Sequence, residues 1–209
     1  MTFQESLSWL YGTQQVGIKL GLDNIRRLLG ALGVEVERSR FLHVAGTNGK
    51  GSVCAMLDAI CREAGFRTGL YTSPHLVTFH ERIRLNGVMI PGEAVVAGLS
   101  RIRGLIAGWE MHPTFFEITT ALALDYFQRE NAELIVLETG LGGRMDATNV
   151  VRPAVSVITA IGLDHQAYLG STLAEIAGEK AGIIKPGLPV VSAPQDREAE
   201  AVLRRAVIV

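Results

Sequence analysis

The sequence predicts an α/β fold: a mostly parallel, doubly wound sheet with helices on both faces. Short apolar runs alternate with stretches of helical period along the 209 residues. One of those runs leads through a glycine-rich turn directly into an amphipathic helix. An Asn-Gly pair between two apolar triplets marks a β-hairpin, expected in a small accessory sheet.

The elements follow in order. Leu7, Leu10 and Tyr11, then Ile25, Leu28, Leu29 and Leu32, recur at helical spacing and predict helix-loop-helix. Residues 41–45 (FLHVA) form a strand. Val53, Met56, Leu57, Ile60, Cys61 and Ala64 continue as a helix, and Thr68 to Tyr71 is a second strand. Residues 83–85 and 88–90 flank Asn86-Gly87, whose two positive-φ positions suit a type I′ turn. Helices are expected over about 93–106 and 117–129. Buried parallel strands follow at 134–137 and 155–158. A helix from Thr172 to near Gly182, a strand at 189–192 and a helix over about 197–205 complete the chain.

Composition excludes several classes. The net charge is -1, with 48% hydrophobic and 20% charged residues, so no bias toward nucleic acid exists. No apolar stretch reaches the ~20 residues that span a bilayer. The N-terminus lacks a signal-peptide pattern, and a cytoplasmic protein is expected. Cys54 and Cys61 lie two helical turns apart, about 10 Å, too far for a disulfide, and read as small buried hydrophobes.

The strongest local signal is Gly46-Thr47-Asn48-Gly49-Lys50-Gly51-Ser52. Glycines let backbone N–H groups approach phosphate oxygens, and the following helix adds its dipole. Lys50 is placed to reach β- and γ-phosphates, and a hydroxyl after it to hold Mg²⁺. The run departs from the general P-loop twice. Val44 replaces the first glycine, and Gly51 pushes the hydroxyl to Ser52.

Other residues carry two readings. Ser73, after a strand end in Tyr71-Thr72-Ser73-Pro74-His75-Leu76, is either a hard-cation ligand or a turn serine. Glu138 ends a buried strand, where an unpaired carboxylate is costly and a metal ion removes the cost. Phe115 and Phe116 are site aromatics or core aromatics. Asp146, in Gly140-Leu141-Gly142-Gly143-Arg144-Met145-Asp146-Ala147-Thr148-Asn149, is a ligand-reading acid or a cap. Lys180 shares a helical face with Leu173, Ile176 and Ala177, the face that is expected to be buried. It either has a depressed pKa and reacts with CO₂ to a carbamate, or snorkels to water. His165, in Gly162-Leu163-Asp164-His165, is a ligand or a surface residue.

Together these blocks, spread from about residue 20 to 195, resemble the Mur ligase superfamily, and within it the folylpolyglutamate synthase and dihydrofolate synthase branch. The resemblance implies an ATP-dependent ligase that joins L-glutamate to a pteroate or folate carboxylate through an acyl phosphate. It makes the 46–52 loop the ATP site. Ser52, Ser73, Glu138 and His165 become ligands of two Mg²⁺ ions, with a carbamylated Lys180 supporting the second. Lys50, Lys180 and His165 become the catalytic group. Phe115, Phe116, Glu117, Asp146 and Ala147 become the pterin site. The resemblance also implies a monomer, and a second α/β domain for glutamate and part of the adenine site. Residues 1–209 correspond to the ATP-binding part alone, which is expected not to ligate by itself. Two rival readings are another Mur-type amide ligase and a non-catalytic nucleotide-binding fragment.

Overall fold

The computed structural model describes residues 1–17 and 21–208. In chain order the helices are α1 (Phe3–Gly12), α2 (Asp23–Leu32), α3 (Lys50–Glu63), α4 (Gly92–Ile106), α5 (Phe115–Arg129), α6 (Gln166–Leu169), α7 (Leu173–Ala181) and α8 (Arg197–Ile208). The strands are β1 (Arg40–Ala45), β2 (Thr68–Tyr71), β3 (Ile83–Leu85), β4 (Val88–Met89), β5 (Leu134–Glu138), β6 (Val155–Ile158) and β7 (Val190–Ser192). They form one sheet in the order β4-β3-β2-β5-β1-β6-β7. β2, β5, β1, β6 and β7 are parallel, and β3 and β4 run antiparallel at one edge.

The expected hairpin forms, with Asn86 at φ 49° and Gly87 at φ 78°. It is not a separate accessory sheet, however: Gly69, Leu70 and Tyr71 pair with Leu85, Arg84 and Ile83. Two such short strands are not stable alone, and the open edge of β2 supplies their missing partner. Asn86 ties the turn down further. Its Oδ1 accepts the Thr68 N–H at 2.9 Å, and its own N–H donates to the Thr68 carbonyl at 2.8 Å.

Alternation along the strands fills both faces. Phe41, Tyr71, Ile135 and Leu137 face a large core built with α1, α2, α4 and α5. Val44, Leu70, Leu134 and Val136 face α3, where Cys54 and Cys61 are buried and unpaired with each other. All five residues of β5 are buried, as expected of a strand covered by helices on both sides. Among the described residues no helix is long and apolar enough to cross a membrane.

The loops after β1, β2, β5 and β6 all leave the carboxyl ends of parallel strands. β5 and β6 lie on either side of β1, so the loop after β1 sits at the crevice where such sheets bind ligands.

Candidate active site

The loop after β1 is shaped by its glycines. Gly46 holds φ 152°, and a Cβ there would fall on the Thr159 hydroxyl. Gly49 adopts the left-handed conformation and turns the chain into α3. The Thr47 and Asn48 N–H groups donate to the Ala160 carbonyl at 2.9 and 3.2 Å, locking the loop against the segment after β6. No side chain caps α3, so the N–H groups of its first turn, Lys50, Gly51 and Ser52, are left for an external acceptor.

Two lysines converge on one oxygen of this loop. Lys50 Nζ donates to the carbonyls of Gly46 and Thr47 at 3.2 and 3.3 Å. Lys180 Nζ, from α7, donates to the same Gly46 carbonyl at 2.8 Å. Lys180 is 4% exposed and shares its buried face with Ile176 and Ala177. Its amine therefore does not snorkel. Burial, and then the charge of Lys50, lower its pKa to about 8. Among the described residues neither lysine pairs with a carboxylate. The Lys50 ammonium beside an uncapped helix start makes a receptor for a polyanion.

Glu138 faces that receptor from the end of β5. A Cβ built on Gly51 would lie 3.9 Å from its Oε1. Its Oε2 accepts the Ser73 N–H at 3.0 Å. Burial raises its pKa, while the Ser73 N–H and Lys50 oppose the rise.

Ser73 belongs to a second surface. A cleft of about 580 Å³ is lined by Ser73, Arg82, Phe115, Phe116, Asp146 and His165 among others, with Glu117 and Ala147 in the same wall. Phe115 stacks on Tyr11, with centroids 5.7 Å apart, and Phe116 is tilted against Tyr71. The Thr114 capping box starts α5 and aims both rings. That box engages Glu117, whose Oε2 accepts the Thr114 N–H at 2.7 Å.

Asp146 is likewise engaged. Oδ2 accepts the N–H groups of Gly140 and Leu141, at 2.9 and 2.8 Å. Oδ1 accepts the N–H and hydroxyl of Thr148. The carboxylate thus caps a 3-10 turn at residues 147–150 and braces its own loop. Of the two sequence readings, the cap is the one this geometry displays. Burial raises the Asp146 pKa against those hydrogen bonds.

His165 lies at the cleft mouth with φ 48°, largely exposed, its Nε2 3.6 Å from Asp164 Oδ2. Ser52 is exposed on the first turn of α3. Among the described residues no three His, Cys, Asp or Glu side chains converge as a preformed metal cluster. Glu138 and the Ser52 and Ser73 hydroxyls are hard oxygen donors, the chemistry that could hold Mg²⁺.

The structure thus gathers Ser73, His165 and the five pterin-site candidates at one cleft, and the 46–52 loop, Lys180 and Glu138 at another surface. The Ser73–Glu138 hydrogen bond joins the two. Sequence reasoning assigned no role to Arg82, which is 7% exposed in the cleft wall. It stands next to Glu81 in a short 3-10 turn, where no periodicity reveals burial. Buried Thr148, hydrogen bonded to His43 Nε2 at 2.8 Å, was likewise unassigned.

The Mur ligase middle domain matches residues 44–200. The chain belongs to that family. Among Mur ligase relatives it is 44% identical over 207 residues to the dihydrofolate synthase/folylpolyglutamate synthase of Bacillus subtilis, covering 97% of this chain and 48% of that protein. It superposes on the apo form of L. casei FPGS with a TM-score of 0.95 at 37% identity, covering 100% of this chain and 52% of the other. An FPGS-AMPPCP-folate complex gives a TM-score of 0.92 at 37% identity, with the same coverage. The chain spans about half the length of these relatives.

Proposed function

We propose that this chain is the nucleotide-, Mg²⁺- and pterin-binding part of an ATP-dependent ligase that adds L-glutamate to dihydropteroate, to folates, or to both. The observation that carries the reading is the junction of two surfaces. A phosphate loop on which Lys50 and Lys180 converge is connected through Glu138 and Ser73 to an aromatic cleft. Phosphoryl transfer to a carboxylate needs a nucleotide and an acid held side by side. A related FPGS binds AMPPCP and folate together, and that supports the same pairing here.

In this reading Lys50 and the first-turn N–H groups of α3 hold the phosphates. Bound Mg²⁺ supplies charge neutralisation at the transferring phosphoryl group. Glu138, Ser52 and Ser73 would hold one ion, and His165 would contribute to a second site. The lowered pKa of Lys180 keeps a substantial share of its amine neutral near pH 8. A neutral amine can add CO₂ and release a proton, and the resulting carbamate would supply anionic oxygens that support the second site. Lys50, Lys180 and His165 act on the reacting groups. Phe115 and Phe116 stack the pterin, and Glu117, Asp146 and Ala147 hold the wall that receives it. Glutamate and part of the adenine are left to a second domain. Residues 1–209 alone are therefore expected to bind nucleotide weakly and not to ligate. We further assign the protein to the cytoplasm, as a monomer that engages neither nucleic acid nor membrane.

The test is ADP release by the chain followed by a second Mur ligase α/β domain, with glutamate and either dihydropteroate, tetrahydrofolate or a UDP-linked peptide precursor. Release that depends on a pterin substrate is expected. Release with the UDP-linked substrate alone would assign the chain to another branch.

A further inference from the structure

Arg82 is a buried cation without a counter-ion. Among the described residues no carboxylate lies within ion-pairing distance of it, and residues 18–20 include none. Proteins rarely desolvate an arginine with nothing to balance it, because the unpaired charge is expensive.

The side chain is nevertheless held in place. Its Nε donates to His75 Nδ1 at 2.7 Å. That bond requires His75 Nδ1 to be an acceptor, so a proton on this imidazole sits on Nε2. The guanidinium carbon lies 5.3 Å from the Phe115 ring centroid. His75 is itself set edge-on against buried Phe79, with centroids 6.3 Å apart. The two terminal nitrogens of the fork make no hydrogen bond among the described residues. Neither nitrogen is among the fully buried, unpartnered side-chain atoms of the described residues, and Arg82 lines the cleft, so the fork opens into it.

Its position is specific. The Arg82 carbonyl accepts the N–H of Thr72, the neighbour of Ser73. Ser73 is the cleft residue whose backbone reaches Glu138. Arg82 thus lines the same cleft as Ser73, and its backbone is tied to the segment that leads to Glu138 and the phosphate loop. An acid must present its carboxylate there to receive a phosphoryl group.

We propose that Arg82 is the receptor for the carboxylate of the cleft's ligand, taking it through its two free terminal nitrogens, and that His75 is a positioning residue that holds the fork in register. A planar fork matches a carboxylate in two parallel hydrogen bonds, which lysine cannot reproduce. The proposal rests on the pterin reading of the cleft given above.

The test is titration calorimetry of the 209-residue chain with pteroate and with its neutral carboxamide. The chain is expected to prefer pteroate by about tenfold or more, the range of a charge-assisted hydrogen bond. Arg82→Gln is expected to abolish the preference while leaving carboxamide affinity within about twofold. Arg82→Lys is expected to keep part of it. His75→Ala is expected to reduce the preference and His75→Asn, whose Oδ1 also accepts from Nε, to restore most of it. Equal loss for both ligands in Arg82→Gln would overturn the proposal, as would equal affinity of the unmodified chain for both. Should Arg82→Gln fail to fold, the unmodified chain and Arg82→Lys still decide. Binding of neither ligand by the unmodified chain would overturn the pterin reading, and the proposal with it.

Discussion

At the scale of single residues, two positions define the phosphate side of the site. Gly46 combines a positive φ with close contact to Thr159. Gly46→Ala is expected to lower stability by about 1–3 kcal/mol, the range for a side chain forced into such backbone. Urea unfolding measures this, and a change under about 0.5 kcal/mol, the scatter of neutral surface changes, would contradict it. Lys180 makes a pH prediction. Its folded pKa is about 8, against an ordinary 10.5. Between those values the unfolded chain holds a proton that the folded chain lacks, so stability rises with pH across the window. The stabilisation is fully present above 10.5 and is lost as pH falls through 8. Lys180→Met removes the titration. In CO₂-free buffer the native chain is expected to gain about 2–3 kcal/mol on the variant between pH 7.5 and 10.5. Parallel stability profiles would rule out the depressed amine.

What the sequence reveals of single residues depends on the signal each one carries. Lys180 was legible because its burial follows from a helical period shared with Ile176 and Ala177. The bracing role of Asp146 was not resolvable. A carboxylate in a glycine-rich run serves equally as a ligand or as a cap, and only the folded loop brings the Gly140 and Leu141 N–H groups onto it. Arg82 gave no signal of burial at all, since arginine is normally exposed.

At the scale of elements, the start of α5 links stability to the cleft. Thr114 and Glu117 form a reciprocal capping box, and Phe115 and Phe116 occupy the first turn that it fixes. Thr114→Ala is expected to lower stability by about 1 kcal/mol. It is also expected to weaken pteroate binding, because the stacked Phe115 and tilted Phe116 lose their anchor. A stability loss with unchanged affinity would separate the cap from the cleft. The boundaries of α5 explain why the sequence places the helix two residues late. Its first turn is carried by cap chemistry, whereas apolar period begins only behind it. The hairpin shows the opposite case. Asn86-Gly87 announces the turn, but nothing local says which strand edge receives it. The parallel β2 edge and the Asn86–Thr68 bonds decide that.

At the scale of the molecule, topology makes the site possible. Strands β5 and β6 lie on either side of β1, which places the 46–49 loop in the crevice between their carboxyl ends. The loop after β2 then brings Ser73 to Glu138 from a third direction. Alternation of apolar runs and helices was enough to read the parallel sheet, because each buried strand repeats the same pattern. The strand order was not readable, since it follows from long-range pairing such as that of Val44 with both Glu138 and Val157. The central claim is that Lys50 and the first turn of α3 receive the phosphates of a magnesium nucleotide. Calorimetric titration of the 209-residue chain with AMPPCP, with and without Mg²⁺, tests it against Lys50→Ala. Saturable, Mg²⁺-dependent binding that falls by about tenfold or more in the variant is the predicted result, on the scale of one charge-assisted contact. Equal affinity in both proteins, or no binding by the unmodified chain, would contradict it.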